Sequence, residues 1–130
     1  MTHEQQSLIL EFHSALPEGC RSKPATTEEL AAFEKDHGVI PSDYRWYLAT
    51  CGGGVVGSEW VDDIRKLKAT HEKFREEEWT MEDAFPIGWD GGGNPMAIER
   101  SSGRLLVEDH DFGGIHELAT SFADFVLQKK

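Results

Sequence analysis

The stretch FPIGWDGGGNPMAIE, residues 85–99, places three consecutive glycines between two segments of alternating apolar residues. Phe85, Ile87 and Trp89 occupy every second position before the glycines, and Met96 begins a similar alternation after them. This period is typical of strands with one buried face. Glycine adopts positive φ angles without steric cost, so the Asp-Gly-Gly-Gly segment predicts a hairpin turn between two antiparallel strands.

Glycine-rich segments also bind phosphate, so a nucleotide site is the competing interpretation. A P-loop requires lysine and then serine or threonine after its last glycine, at the start of a helix. Here Asn94, Pro95 and Met96 follow Gly93, and the next segment alternates like a strand. A dinucleotide fingerprint also needs a helix N-terminus to receive the pyrophosphate. The sequence therefore favours a turn, and Pro95, which lacks a donor N–H, is expected to begin an edge or bulged strand.

Helical periodicity and capping residues predict the elements before this hairpin. An amphipathic helix is expected over residues 4–16, and a linker over residues 18–25. Thr26 and Glu29 have the spacing of a capping box for a second helix, with Thr27 as the competing cap. That helix is expected to end before the next glycine, at position 38.

The middle of the chain predicts two more helices separated by one strand. Ser42 is expected to cap a third helix that ends before three glycines, and VVGSEW, residues 55–60, predicts one short strand. Asp62 or Asp63 is expected to cap a charged helix that continues to about Trp79.

The C-terminal part extends the meander and closes with a helix. Strands are predicted around Leu105 and over residues 114–118, where His116 and Leu118 would share one face, and Ile115 and Glu117 the other. Thr120 or Ser121 is expected to cap a last helix that continues to about Gln128.

Helices and strands are predicted in separate blocks and do not alternate along the chain, so the predicted fold class is α+β. At 130 residues one hydrophobic core suffices. We therefore expect a single domain in which N-terminal helices and a C-terminal helix pack on a mostly antiparallel β-sheet.

Charge and composition narrow the function classes. The chain has 24 acidic and 13 basic residues, a net charge of −11, which disfavours nucleic acid as a partner. No apolar run approaches the ~20 residues that span a membrane, and the apolar stretch at residues 8–10 is too short for a signal peptide. Cys20 and Cys51 lack CxxC spacing and are interpreted as reduced thiols of a cytoplasmic protein.

The order of motifs resembles that of the SUKH superfamily. The segment TTEELAAFEKDHGVIPSDYRWYLATCGGG, residues 26–54, is similar to the family's opening pattern ixxfExxxgixLPxdyxxfLxxxnGG. The matching residues are Phe33, Glu34, Gly38, Pro41, Tyr44, Tyr47, Leu48, Gly52 and Gly53. The hairpin of residues 85–99, the segment GRLLVEDHD and the segment LATSFADFVLQ are similar to the family's later strands and final helix.

The resemblance covers roughly residues 26–128, and it implies a SUKH-like domain over residues 26–130 with residues 1–25 as its N-terminal helix and linker. Pro95 departs from the family pattern, which has an ordinary strand residue after the glycine turn, and this leaves the register of the hairpin open.

The resemblance also implies a protein-binding function. Many bacterial members are immunity proteins that bind and neutralise a toxin, often a nuclease. The superfamily also includes the fungal cell-wall-assembly regulator, a signalling scaffold. It implies no enzyme activity, no catalytic residue, no metal and no cofactor, and it leaves the oligomeric state open.

The densest acidic stretch, HEKFREEEWTMED at residues 71–83, is the candidate partner-binding surface. Such a stretch is typical of a solvated helix face, but it would also attract a basic toxin, since nucleases are basic and an acidic inhibitor uses the same field. Trp79 is the candidate anchor, because tryptophan is enriched at binding hot spots, whereas Trp60 and Trp89 are expected in the core. The candidate partner-binding residues are Glu76, Glu77, Glu78, Trp79, Glu82 and Asp83.

A second cluster, VEDHDFGGIHEL, contains residue types that bind divalent ions. Its members are Glu108, Asp109, His110, Asp111, His116 and Glu117. A metal-assisted enzyme using Asp109, His110 and Asp111 is therefore the third hypothesis, after toxin neutralisation and a regulatory scaffold. The cluster straddles a predicted turn between strands, where neighbouring side chains point to opposite faces, and this favours a solvated turn.

Overall fold

The computed structural model describes residues 1–128. The helices of this part are α1 (His3–Ser14), α2 (Thr27–His37), α3 (Ser42–Thr50), α4 (Ile64–Glu76) and α5 (Phe122–Val126), with a short 3-10 helix at Glu18–Cys20. The strands are β1 (Gly54–Val56), β2 (Glu59–Val61), β3 (Ala84–Trp89), β4 (Pro95–Glu99), β5 (Leu105–Glu108) and β6 (Ile115–Ala119). This order confirms the α+β prediction of one domain, whereas the division of the chain near residue 25 stays a prediction.

The main sheet is an antiparallel meander with the strand order β3-β4-β5-β6, and β1 and β2 form a separate hairpin. The prediction of one strand over residues 55–60 is wrong, because Gly57 turns the chain with a φ of 63° and Val55 pairs with Trp60. Pro95 begins β4, which pairs on both sides, so the expectation of an edge strand is wrong. The predicted irregularity lies in the neighbouring strand, where the register shifts between Pro86 and Gly88 of β3.

Capping chemistry fixes most helix starts. Thr26 and Glu29 form the predicted capping box of α2, and Asp63 accepts backbone N–H groups at the start of α4. Ser121 caps α5, but Ser42 makes no capping hydrogen bond and is instead the first residue of α3. The described helix α5 is shorter than predicted, because it ends at residue 126.

The two faces of the sheet are covered differently. On the main face, Phe85 pairs with Ile98, and Met96 with Val107, and this face packs against the core formed by the helices. The second face carries the residues in between, and there Ala97 pairs with its buried partner Leu106. Successive side chains of a strand point to opposite faces of the sheet. Since both sets are apolar in these strands, the centre of the sheet is apolar on both faces.

The glycine segment forms the predicted turn. The Asp90 carboxylate accepts the backbone N–H groups of Gly92 and Asn94, each at 2.9 Å, and the Asp90 N–H donates to the Asn94 carbonyl at 2.9 Å. A Cβ atom at Gly91 or Gly93 would meet no atom within 4 Å. The segment is thus closed by its own polar groups.

No helix of residues 1–128 combines the length and the apolar character needed to cross a bilayer.

A glycine that has no room for a side chain lies elsewhere, at position 52. Gly52 has a φ of 95°, and a Cβ atom there would lie 2.3 Å from the carbonyl oxygen of Lys23. We expect Gly52→Ala to lower the free energy of unfolding by at least about 2 kcal/mol, because both the backbone angle and the contact are unfavourable. The control Gly91→Ala should change it by less than about 0.5 kcal/mol. Urea unfolding followed by tryptophan fluorescence measures both, and equal losses would contradict this account.

An imidazole is packed into the core beside β3. The His71 ring lies 5.2 Å from the ring of Phe33 and 4.5 Å from that of Phe85, centroid to centroid, and its Nε2 lies 2.9 Å from the Pro86 carbonyl oxygen. That carbonyl is an acceptor, so the neutral ring carries its proton on Nε2. Burial lowers the pKa of His71 from 6.5 to about 4.

This pKa predicts a loss of stability in acid. Below pH 6.5, His71 binds a proton in the unfolded chain but not in the folded chain. The free energy of unfolding therefore falls, by about 3 kcal/mol, between pH 6.5 and about 4. Asp62 acts in the opposite direction, because burial raises its pKa to about 6. We therefore compare His71→Gln with wild type by urea unfolding from pH 7 to 4. The stability difference should shrink as the pH falls, and a constant difference would contradict the assignment.

Candidate functional site

The segment between α4 and β3, residues 77–83, covers the second face of the sheet and is called the covering loop. Met81 is buried and packs against Ala97 and Leu106, with Phe74 of α4 beside them. The predicted charged helix thus ends before Trp79, because Glu77 already has extended angles, φ −89° and ψ 150°. Five of the six candidate partner-binding residues therefore lie on this loop, and Glu76 ends the helix that precedes it.

A buried carboxylate holds the covering loop in place. Glu108 is only 7% exposed, and its Oε1 accepts the backbone N–H groups of Thr80 and Met81, each at 2.9 Å. Its Oε2 lies 3.0 Å from the same N–H of Thr80. Leu106 and Glu108 are two residues apart on β5, so their side chains lie on the same face of the sheet. The strand that contributes to the apolar centre of the second face therefore also presents this carboxylate. Glu108 is thus a buried structural residue, and its expected place in a solvated turn is wrong.

Three aromatic rings gather at one end of the covering loop. The Trp79 ring centroid lies 6.1 Å from that of Trp89 and 6.3 Å from that of His110, and we call these three residues the aromatic cluster. The indole Nε1 of Trp79 donates to Glu77 Oε1 at 3.0 Å, and Lys73 Nζ lies 4.2 Å from the Trp89 ring centroid. Such contacts fix the orientation of half-buried rings at little cost.

The glycine turn positions the third ring. Asn94 Oδ1 accepts the backbone N–H of His110 at 2.9 Å and lies 2.5 Å from its Nδ1, so this nitrogen carries a proton. The amide nitrogen of Asn94 donates to Asp90 Oδ2 at 3.1 Å. Sequence reasoning missed this link, because Asn94 and His110 are 16 residues apart and lie on different turns.

The candidate residues occupy two ends of the covering loop. Glu76, Glu77 and Glu78 are exposed at the end of α4, and Glu77 contacts the half-buried Trp79. Asp83 is exposed at the other end, where its Oδ2 accepts the Ser101 N–H at 2.9 Å. The structure thus brings Trp79 together with Glu77 and places Asp83 against the turn between β4 and β5.

The two tryptophans expected in the core, Trp60 and Trp89, differ in exposure. Trp60 is 40% exposed, so its expected place in the core is wrong, and it lies beside Lys66, whose Nζ is 5.3 Å from the ring centroid. The small β1–β2 hairpin buries one side only, which leaves Trp60 on the solvent side. Trp89 is half-buried within the aromatic cluster.

The acidic turn after β5 is used for turn closure. Asp109 Oδ1 accepts the backbone N–H groups of Phe112 at 3.1 Å and Asp111 at 2.8 Å, and these two bonds lower the pKa of Asp109. Within residues 1–128, no group of three or more His, Cys, Asp or Glu side chains is arranged to hold a metal ion. The hypothesis of a metal-assisted enzyme therefore has no candidate metal site within residues 1–128 to support it.

Two open grooves flank the outer part of the sheet. The hairpin groove, about 320 Å³, lies on the main face beside the β1–β2 hairpin, and the loop groove, about 450 Å³, lies on the second face beside Met81. The acidic residues of the hairpin groove are Glu59, Asp90 and Asp124. Those of the loop groove are Glu82, Glu99 and Glu117. Of the residues that the structure describes, Arg104 is the one basic residue lining the loop groove, and its guanidinium binds Glu99 at 2.9 Å.

The chain thus forms an α+β domain in which exposed acids and half-buried tryptophan rings lie together at one end of the covering loop. A model of the SMI1 / KNR4 family (SUKH-1) matches residues 24–128. The chain belongs to this family, which confirms the resemblance stated from the motifs. No curated protein matches the chain.

The role of Glu108 can be tested directly. Glu108→Ala leaves the buried backbone N–H of Met81 and the partly buried N–H of Thr80 without an acceptor, so we expect it to lower the free energy of unfolding by about 2–3 kcal/mol. It should also speed amide hydrogen exchange in residues 77–83. The control is Glu117→Ala on the same strand pair, an exposed carboxylate 3.5 Å from Arg104, which should cost less than about 1 kcal/mol. Unchanged exchange in the covering loop would refute the anchoring role.

Proposed function

We propose that this protein is an immunity protein that binds and neutralises a basic protein toxin, such as a nuclease, in the bacterial cytoplasm. The partner-binding surface is the aromatic cluster together with Glu76, Glu77, Glu78, Glu82 and Asp83. The observation that carries the proposal is the juxtaposition of fixed aromatic rings with exposed glutamates at the end of α4.

The position of these glutamates supports a role in binding. Glu76 is the last residue of α4, and Glu77 and Glu78 follow it directly. Acidic groups at a helix C-terminus interact unfavourably with the helix dipole, so three glutamates there lower the stability of α4. Residues that oppose local stability are concentrated at functional surfaces.

The two parts of the surface have different physical roles. The glutamates add to the field of a chain with net charge −11, which would raise the association rate of a basic partner by ~10–1000-fold at low salt. Trp79 and Trp89 supply flat apolar area that excludes water on contact. An inhibitor that occupies the cationic surface of a nuclease also repels the substrate from it.

A regulatory scaffold is the second candidate, because the family model that matches the chain carries the name of the SMI1 / KNR4 proteins. It would use the same surface for a housekeeping partner. Identification of the captured partner separates the two candidates, since a toxin is lethal when expressed alone and a housekeeping protein is not.

The experiment co-expresses this protein with toxin candidates encoded beside its gene and measures growth and binding kinetics. The binding kinetics are measured with a toxin that this protein neutralises. The triple variant Glu76→Gln, Glu77→Gln and Glu78→Gln should associate with it about 10-fold more slowly at low salt, and at nearly the normal rate at high salt. Trp79→Ala should speed dissociation by about 30-fold.

The matched control removes three exposed carboxylates from other elements, by Glu11→Gln, Glu18→Gln and Glu28→Gln together. It should change the association rate by less than about 3-fold, because these carboxylates lie on α1, the 3-10 helix and α2 and are not part of the proposed contact. Equal effects of the two triple variants, or failure of every neighbouring toxin to bind, would overturn the proposal.

A further inference from the structure

The strand β6 is an open edge of the main sheet. At the opposite edge, β3 is covered, because the Asp62 N–H donates to the Ile87 carbonyl at 2.9 Å and α4 packs along the strand. β6 pairs with β5 on one side, and no other strand within residues 1–128 pairs with it. Its residues 115–118 are all exposed.

This edge carries large apolar side chains. Ile115 is 44% exposed, Leu118 is 42% exposed, and Phe112, in the preceding turn, is 91% exposed. Edge strands are normally protected by charged side chains, above all lysine, by proline or by a bulge. β6 has the sequence IHELA without lysine or proline, and its protection is limited to Glu117 and a register shift opposite Leu105 and Leu106.

The grooves lie on the two sides of this edge. Leu118 lines the hairpin groove on the main face, whereas Ile115 and Glu117 line the loop groove on the second face, as the predicted alternation requires. A strand that pairs with β6 directs its successive side chains alternately to the two faces. Main-chain hydrogen bonds would thus provide affinity, and the two grooves would select side chains.

The charges of the grooves define the occupant. Among residues 1–128, the grooves together are lined by six carboxylates and one guanidinium, that of Arg104. None of the three carboxylates of the hairpin groove forms an ion pair within the described residues, 1–128. The aliphatic part of a lysine or arginine side chain fits the apolar wall at Leu118, and its charge reaches the carboxylates. A second copy of this chain, with net charge −11, is repelled.

We infer that β6 accepts an extended segment of a basic partner protein as a fifth strand, with lysine or arginine side chains directed into both grooves. This inference rests on the proposed function and adds a mode of binding to it. The two surfaces are continuous, because Glu82 of the covering loop also lines the loop groove beside β6.

The test titrates the ¹⁵N-labelled protein with the peptide acetyl-KRVKRVK-amide, which presents cationic side chains on both faces of a strand. Amide shifts should be largest in residues 115–119 and in the groove linings. The same peptide, N-methylated at its three central residues, cannot pair as a strand and should bind at least about 10-fold more weakly. The peptide acetyl-EDVEDVE-amide should not bind. Absence of binding, or equal binding of the N-methylated peptide, would overturn the inference.

Two variants locate the contact on the protein. The double variant Ile115→Lys with Leu118→Lys should bind the cationic peptide at least about 10-fold more weakly. Leu8→Lys with Leu10→Lys makes the same charge change at exposed leucines of α1 and should have less than about a 3-fold effect. A toxin whose binding is lost in Trp79→Ala but unchanged in the β6 variant would overturn the inference and leave the proposed function standing. If no toxin binds, the proposed function fails, and the peptide titration still decides whether β6 accepts a cationic strand.

Discussion

The sheet has two apolar faces, but the helical core covers only one of them. Burial of apolar surface contributes roughly 25 cal/mol per Å², so the pair Ala97 and Leu106 cannot be left in water without a loss of stability. Phe74 and Met81 provide the missing cover, and Met81 can do so only if residues 77–83 leave the helix and cross the sheet. The position of the candidate binding residues follows from this requirement, because the chain segment that covers the second face also carries Trp79 and the acids.

The turns at one end of the sheet are cross-linked, and this gives the aromatic cluster its rigidity. Asp90 organises the glycine turn, Asn94 connects it to His110, and the ring of His110 contacts Trp79. The glycines thus act indirectly on the proposed binding surface, because Gly93, with a φ of 82°, permits the tight turn that places Asn94. A preformed aromatic surface loses less conformational entropy on binding than a mobile one.

Local patterns predicted the parts of the fold that local chemistry determines. Two such predictions are correct, the alternation of Phe85 and Ile87 and the capping box at Thr26. Both patterns depend only on residues that are close together in the sequence. The hairpin at Gly57 was missed, since its strands have only three residues each. The burial of Glu108 was also missed, because its partners are 27 and 28 residues away. The acids at 76–83 were chosen by charge alone, and their role stays a prediction.

Glu108 holds the covering loop through main-chain N–H groups, and every amino acid except proline supplies such a group. The path of the loop is therefore largely independent of the side chains that project from it, apart from the buried Met81 and from Asp83, whose carboxylate accepts the Ser101 N–H. Exposed positions such as Glu78 and Glu82 can be replaced without disturbing the backbone that presents them. Single substitutions at these exposed positions would therefore change the specificity of the proposed binding surface, while the backbone beneath it keeps its path.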